Sequence, residues 1–144
     1  MSVYVDTSFL GSLYLRDANS PAAFAWLKSH PRALAFTPLH RHELRNAIWL
    51  AAFRGLIPEP TARSALAEIE RDVAAGSLHA TPIAWADALH ESERLGDMHT
   101  ARLGVRSLDL LHLGVARTLG AKTLLTFDQR QLAAAKAAGF HLGL

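Results

Sequence analysis

Short β-prone segments alternate with helical segments along the whole chain, and this alternation strongly limits the possible folds. The strand candidates are residues 3–5, 34–37, 78–80, 123–126 and 140–142. The helix candidates are residues 21–28, 39–53, 61–75, 84–95, 108–119 and 128–138, with a break at residues 96–99. Strands separated by helices form βαβ units, whose parallel strands build a sheet with helices on both faces. The sequence therefore predicts an α/β fold.

The length and composition indicate a single domain that folds without disulfide bonds or thiolate metal sites. The chain has 144 residues, of which 50% are hydrophobic, and it contains no cysteine. We expect a single domain over residues 1–144, because no repeat or long linker divides it. The first residues lack the basic and apolar regions of a signal peptide, and no apolar run approaches membrane-spanning length. We expect a soluble, cytoplasmic protein, and its net charge of +2 is compatible with nucleic acid without requiring it.

Four acidic residues lie beside apolar segments, where a solvated charge is not expected. Asp6 follows the first strand candidate, and Asp128 comes just after the fourth. Ligands of parallel sheets bind beyond the carboxyl ends of the strands, so both carboxylates are expected at that edge. Asp109 and Glu43 fall in the first turns of two helices with many apolar neighbours.

Each of these acids also has a purely structural interpretation. Asp6 and Asp128 could cap the helices that follow them. Asp109 could interact favourably with the positive end of its helix dipole. Glu43 could pair with Arg41 or Arg45. If the four carboxylates converge, however, their repulsion has to be offset by a cation. Oxygen ligands favour Mg²⁺ or Mn²⁺, and such ions promote phosphodiester hydrolysis.

The segments around these acids resemble the PIN-domain family, and within it the VapC toxins of bacterial toxin–antitoxin pairs. The matching segments occur in order along the chain: VYVDTS at residues 3–8, HELRNA at 42–47, RSLDLLHL at 106–113 and LTFD at 125–128. The resemblance continues through the tail at residues 128–139. A strand that ends in Asp-Thr-Ser is weak evidence alone, whereas the ordered set is fairly specific.

The resemblance implies a PIN-like α/β/α sandwich with a short central parallel sheet flanked by helices. It also implies metal-dependent endonucleolytic cleavage of RNA with one or two Mg²⁺ or Mn²⁺ ions, control by a cognate antitoxin protein, and a homodimer. By this similarity the four acids would be catalytic: Asp6, Glu43 and Asp109 would be metal ligands, and Asp128 would bind metal or orient its water. The hydroxyls expected to support those ligands are Thr7, Ser8 and Thr126.

Three arginines near these acids are candidates for RNA binding. Arg102 and Arg106 precede Asp109, and Arg130 follows Asp128. Positive charge there would hold phosphates and make binding sensitive to salt. Each arginine could equally be a solvated residue at a helix end.

Three other functions remain as alternatives. A zinc site is disfavoured because His40 and His42 would point roughly 200° apart on a helix, and no His-Glu-x-x-His occurs. A phosphatase with an aspartate nucleophile would be expected to have Asp-x-Asp at the end of the first strand. Here Asp6 is followed by Thr7 and Ser8, so the second aspartate is missing. The remaining alternative is a catalytically silent PIN-like module that binds RNA or protein, which loss of a site acid would indicate. None of the four acids is missing.

Overall fold

The structure is a computed structural model that describes residues 3–144. Seven helices and five short strands alternate in this part of the chain. In order they are β1 (Val3–Val5), α1 (Thr7–Tyr14), α2 (Ser20–Ser29), β2 (Leu34–Phe36), α3 (Pro38–Phe53), α4 (Glu59–Ala75), β3 (Leu78–Ala80), α5 (Trp85–Leu103), α6 (Ser107–Thr118), β4 (Thr123–Leu125), α7 (Gln129–Ala137) and β5 (His141–Leu142). The predicted α/β class is confirmed.

These elements form two compact units. The first unit contains residues 3–6 and 82–144, and the second contains residues 7–81. No helix within residues 3–144 is long and apolar enough to cross a bilayer.

The first unit is built on a parallel sheet with the strand order β1-β4-β5. Val5 pairs with Leu125, and Thr123 pairs with His141. β4 is buried along its whole length, as expected for a central strand that is covered on both faces. The N-terminal strand therefore pairs with a segment close to the other end of the sequence.

Helices α5 and α6 pack closely in this first unit. Gly114 of α6 allows the close approach, since a Cβ there would overlap the carbonyl oxygen of Ala88 in α5 and lie 3.0 Å from the Ser92 nitrogen. Sequence patterning ended α5 near residue 95 and was wrong. The helix continues through Gly96 because Leu95 and His99, four residues apart, are both buried. It ends at Gly104, whose φ of 63° favours glycine.

The second unit pairs β2 with β3 in parallel and packs helices α1 to α4 around them. Leu34 pairs with Leu78 in the sheet. Phe9 meets Trp26 edge to face with ring centroids 6.1 Å apart, a favourable aromatic geometry. Leu44 and other apolar side chains of the unit are fully buried. The parallel pairing predicted from sequence is confirmed, with the strands divided between these two small sheets.

Candidate active site

The adjacent ends of β1 and β4 bring Asp6 and Thr126 together in the first unit. The amide of Asp6 donates to the carbonyl of Leu125 at 3.1 Å, which extends the strand register by one residue. The Thr126 hydroxyl donates to Oδ2 of Asp6 at 2.5 Å. Both residues are 4% exposed. A buried carboxylate requires donors or a cation, and Thr126 supplies one donor.

Asp128 is joined to the same hydroxyl. Its backbone amide donates to Oγ1 of Thr126 at 3.0 Å. Its Oδ1 accepts from the amides of Arg130 and Gln131 at 2.8 and 3.2 Å, so Asp128 is the N-cap of α7. This confirms the capping role considered from the sequence. The other carboxylate oxygen, Oδ2, points to a different partner.

Asp109 lies in the first turn of α6, and its side chain is 17% exposed. Gln131, which is fully buried in α7, donates from Nε2 to the backbone carbonyl of Asp109 at 3.0 Å. This bond connects the first turns of α6 and α7, the helices that carry Asp109 and Asp128. Sequence reasoning missed Gln131, whose only signal was an amide within an alanine-rich helix.

Arg106 bridges Asp109 and Asp128. Its Nε lies 2.9 Å from Oδ2 of Asp109, and its Nη2 lies 3.0 Å from Oδ2 of Asp128. The hydrogen bond with Asp109, followed by the charge of that carboxylate, raises the pKa of the Arg106 guanidinium. The arginine side chain is 58% exposed. Arg102 and Arg130 are exposed at the end of α5 and the start of α7.

Glu43 belongs to the second unit, where it is half-buried on α3. The Thr7 hydroxyl donates to Oε1 of Glu43 at 3.2 Å. Ser8 is half-buried on α1. Arg41 and Arg45 both pair with Glu70, at 2.5 and 3.4 Å.

His40 has a structural role at the start of α3. Its Nδ1 accepts from the Thr37 amide at 3.1 Å, and its own amide donates to the Thr37 hydroxyl at 3.3 Å. The two residues form a capping box. Helix capping therefore explains why a histidine stands at position 40, three residues before Glu43.

The oxygen donors of the first unit suit a hard divalent cation. Asp6, Asp109 and Asp128 are linked through Thr126 and Arg106 by the bonds given above. Within residues 3–144, no three His, Asp or Glu side chains stand in a ready-made ligand cluster. Two of the carboxylates instead share a guanidinium. The donor chemistry fits Mg²⁺ or Mn²⁺, which take oxygen ligands.

Comparison with known proteins identifies the family. The model of the PIN domain matches residues 3–137, and the chain belongs to this family. A curated relative, Ribonuclease VapC3 of Pyrobaculum aerophilum, is 32% identical over 133 residues, which cover 92% of this chain and 93% of the relative.

Two solved structures show the same fold. VapC20 of Mycobacterium tuberculosis, a toxin that cleaves the sarcin–ricin loop, aligns with a TM-score of 0.69 and 24% identity over 96% of each chain. VapBC2 of Rickettsia felis, bound to a DNA fragment from its promoter, aligns with a TM-score of 0.66 and 16% identity over 99% of this chain and 98% of the other. The predicted membership and fold are thus confirmed.

Proposed function

We propose that this chain is a metal-dependent endoribonuclease and the toxin of a toxin–antitoxin pair. The observation that carries the proposal is the set of three carboxylates, Asp6, Asp109 and Asp128, that hydrogen bonds join through Thr126 and Arg106. The PIN-domain match and the similarity to a VapC ribonuclease support the same activity. The substrate class is RNA.

Asp6, Asp109 and Asp128 would hold the metal in the first unit, and Glu43 is proposed as a fourth ligand on the sequence resemblance alone. A bound Mg²⁺ or Mn²⁺ acidifies a water molecule and offsets the negative charge that develops on the phosphate. Thr126 keeps its proton on Oγ1 directed at Oδ2 of Asp6, which fixes the orientation of that carboxylate. Hydrogen bonds of this kind hold ligands in place.

Arg102 and Arg130 are proposed to contact RNA phosphates. Both are exposed, and they lie on α5 and α7, within the unit that contains the three carboxylates. Neither side chain has an ion pair among the contacts described above. Free guanidinium groups hold phosphate oxygens by paired hydrogen bonds.

A cognate antitoxin, a homodimeric state and a cytoplasmic location complete the proposal. The antitoxin is supported by the similarity in fold to the VapBC2 structure. The homodimer rests on the resemblance described from the sequence, and the location rests on the lack of cysteine, which suits a reducing cytosol.

Cleavage of a mixed RNA pool by the pure protein tests the proposed activity. We expect cleavage with Mg²⁺ or Mn²⁺, none with chelator, and a loss of about 100-fold or more in Asp6→Asn, Glu43→Gln and Asp109→Asn, because each removes a charged ligand. Asp97→Asn is the matched control, since Asp97 is exposed on α5. It should cleave like the wild type.

Circular dichroism has to show that the variants are folded. Equal cleavage by the wild type and Asp109→Asn would refute the carboxylate site. If the wild type does not cleave the RNA pool, a Mn²⁺ titration decides between a missing metal site and a missing substrate. If the wild type binds Mn²⁺ and Asp109→Asn does not, the metal site is retained and the RNA pool lacked the substrate. If the wild type does not bind Mn²⁺, the catalytically silent RNA- or protein-binding module is favoured.

A further inference from the structure

Arg106 donates hydrogen bonds to one carboxylate oxygen of Asp109 and to one of Asp128, both of which are proposed metal ligands. Asp128 uses Oδ1 for the amides of Arg130 and Gln131 in the α7 cap. Its second oxygen, Oδ2, accepts from Arg106 at 3.0 Å. The oxygen of Asp128 that lies outside the helix cap is therefore already engaged.

The same guanidinium holds Asp109. Its Nε donates to Oδ2 of Asp109 at 2.9 Å. A guanidinium presents only N–H donors, and each of its hydrogen bonds uses a lone pair that a metal ion could coordinate. Arg106 and a divalent cation thus compete for the same two oxygens. They also compete electrostatically, because either one offsets the repulsion between the two carboxylates.

The arginine is held weakly enough to leave. Its side chain is 58% exposed, and exposed ion pairs contribute little to stability. Arg106 stands at the N-cap position of α6 but makes no side-chain cap hydrogen bond. The guanidinium can therefore move away without disrupting the start of the helix.

We propose that Arg106 is the internal counter-cation of the metal-free protein, and that metal binding displaces its guanidinium from Asp109 and Asp128. This inference rests on the proposed function, because it assumes that these carboxylates bind metal. Arg106 acts as a positioning residue through the two acids. Once displaced, its planar fork has the donor geometry that pairs with a phosphate group, in agreement with the RNA contact predicted from the sequence.

Mn²⁺ binding by calorimetry, without RNA, tests the proposal in the wild type, Arg106→Gln, Arg102→Gln and Asp109→Asn. We expect Arg106→Gln to bind Mn²⁺ about three- to tenfold more tightly, because the competing cation is gone. Arg102→Gln removes the same charge from the end of α5 and should stay within about twofold of the wild type. Asp109→Asn should lose most of the binding.

Thermal unfolding provides a second readout. Metal-free Arg106→Gln should melt below the wild type, since two carboxylates lose their cation, and added Mn²⁺ should raise its Tm by more than it raises that of the wild type. Unchanged or weaker Mn²⁺ binding by Arg106→Gln would overturn the inference, as would equal tightening in Arg102→Gln. In those cases, lost binding in Asp109→Asn would leave the proposed metal site standing. Equal binding or no binding in all four proteins would overturn both.

Discussion

One hydroxyl group, on Thr126, serves two of the acidic residues. It donates to Asp6 and accepts from the backbone amide of Asp128, and it is almost fully buried. Sequence reasoning placed Asp6 and Asp128 at the ends of parallel strands and gave Thr126 a supporting role. It could not predict that Gln131 would contact Asp109 or that Arg106 would contact Asp128. Each contact joins residues 22 positions apart in sequence and depends on how α6 and α7 pack.

Replacement of Thr126 by valine should damage both stability and activity. Thr126→Val keeps the shape but leaves Oδ2 of Asp6 and the Asp128 amide without this partner, which should cost about 1–3 kcal/mol of unfolding free energy. RNA cleavage should fall by about 10- to 100-fold. Urea unfolding and cleavage rates measure the two effects. Thr126→Ser, which retains the hydroxyl, should recover most of both. Full cleavage by a destabilised Thr126→Val would limit Thr126 to a structural role.

Sequence patterning was least successful in predicting where helices end and how they pack against one another. The glycine at position 96 favoured a break, yet α5 runs from Trp85 to Leu103. A glycine inside a helix costs only about 1 kcal/mol relative to alanine, and packing of α5 against α6 outweighs that cost. Glycine is therefore ambiguous in sequence: at Gly104 it ends a helix with positive φ, and at Gly114 it allows two helices to approach.

The two helical glycines Gly96 and Gly114 should respond differently to alanine. Gly114→Ala places a methyl group against the backbone of Ala88 and Ser92, which cannot move without shifting α5. It should destabilise the protein by about 1–3 kcal/mol. The Cβ of Gly96→Ala would lie 3.1 Å from Cδ1 of Leu110, the flexible end of a side chain. Its effect should stay within about 1 kcal/mol. Denaturant unfolding measures the stability of both variants. Equal losses of unfolding free energy in Gly114→Ala and Gly96→Ala would refute the close-packing explanation.

Across the whole molecule, the order of the strands within the sheets differs from their order along the chain. The alternation of strands and helices correctly predicted parallel pairing. It did not predict that β1 pairs with β4 while β2 pairs with β3, because strand order depends on contacts between distant segments. A chain with a pI near 9.4 carries a small positive charge at neutral pH, and its stability in alkaline solution depends on individual buried groups.

Tyr14 should make stability fall at high pH. Burial, followed by the hydrogen bond to Asp72 at 2.5 Å and the charges of Asp72 and Glu68, raises the pKa of the Tyr14 phenol. The folded protein therefore holds a proton that the unfolded chain releases near pH 10. This contribution is present below about pH 10 and is lost as pH rises toward the higher pKa of the folded state, by up to about 1.4 kcal/mol per pH unit.

Tyr14→Phe tests this dependence. At neutral pH it should lose about 1 kcal/mol, because the hydrogen bond to Asp72 is gone. Above about pH 10 the stability difference from the wild type should narrow. Urea unfolding of both proteins at neutral and alkaline pH measures the difference. A difference that stays constant across that range would show that Tyr14 does not hold its proton more tightly in the folded state.

The pairing of β1 with β4 also sets a time at which the carboxylates can meet during synthesis. Asp6 leaves the ribosome before its partner does, because the hydroxyl that binds it lies 120 residues later in the chain. At about 5–20 residues per second, that interval lasts roughly 6 to 24 s. Until then β1 has no partner strand in the growing chain, and Asp6 has no bond from Thr126. The proposed carboxylate site, and with it the proposed ribonuclease activity, can therefore assemble only after β4 and the residues that follow it have been synthesised.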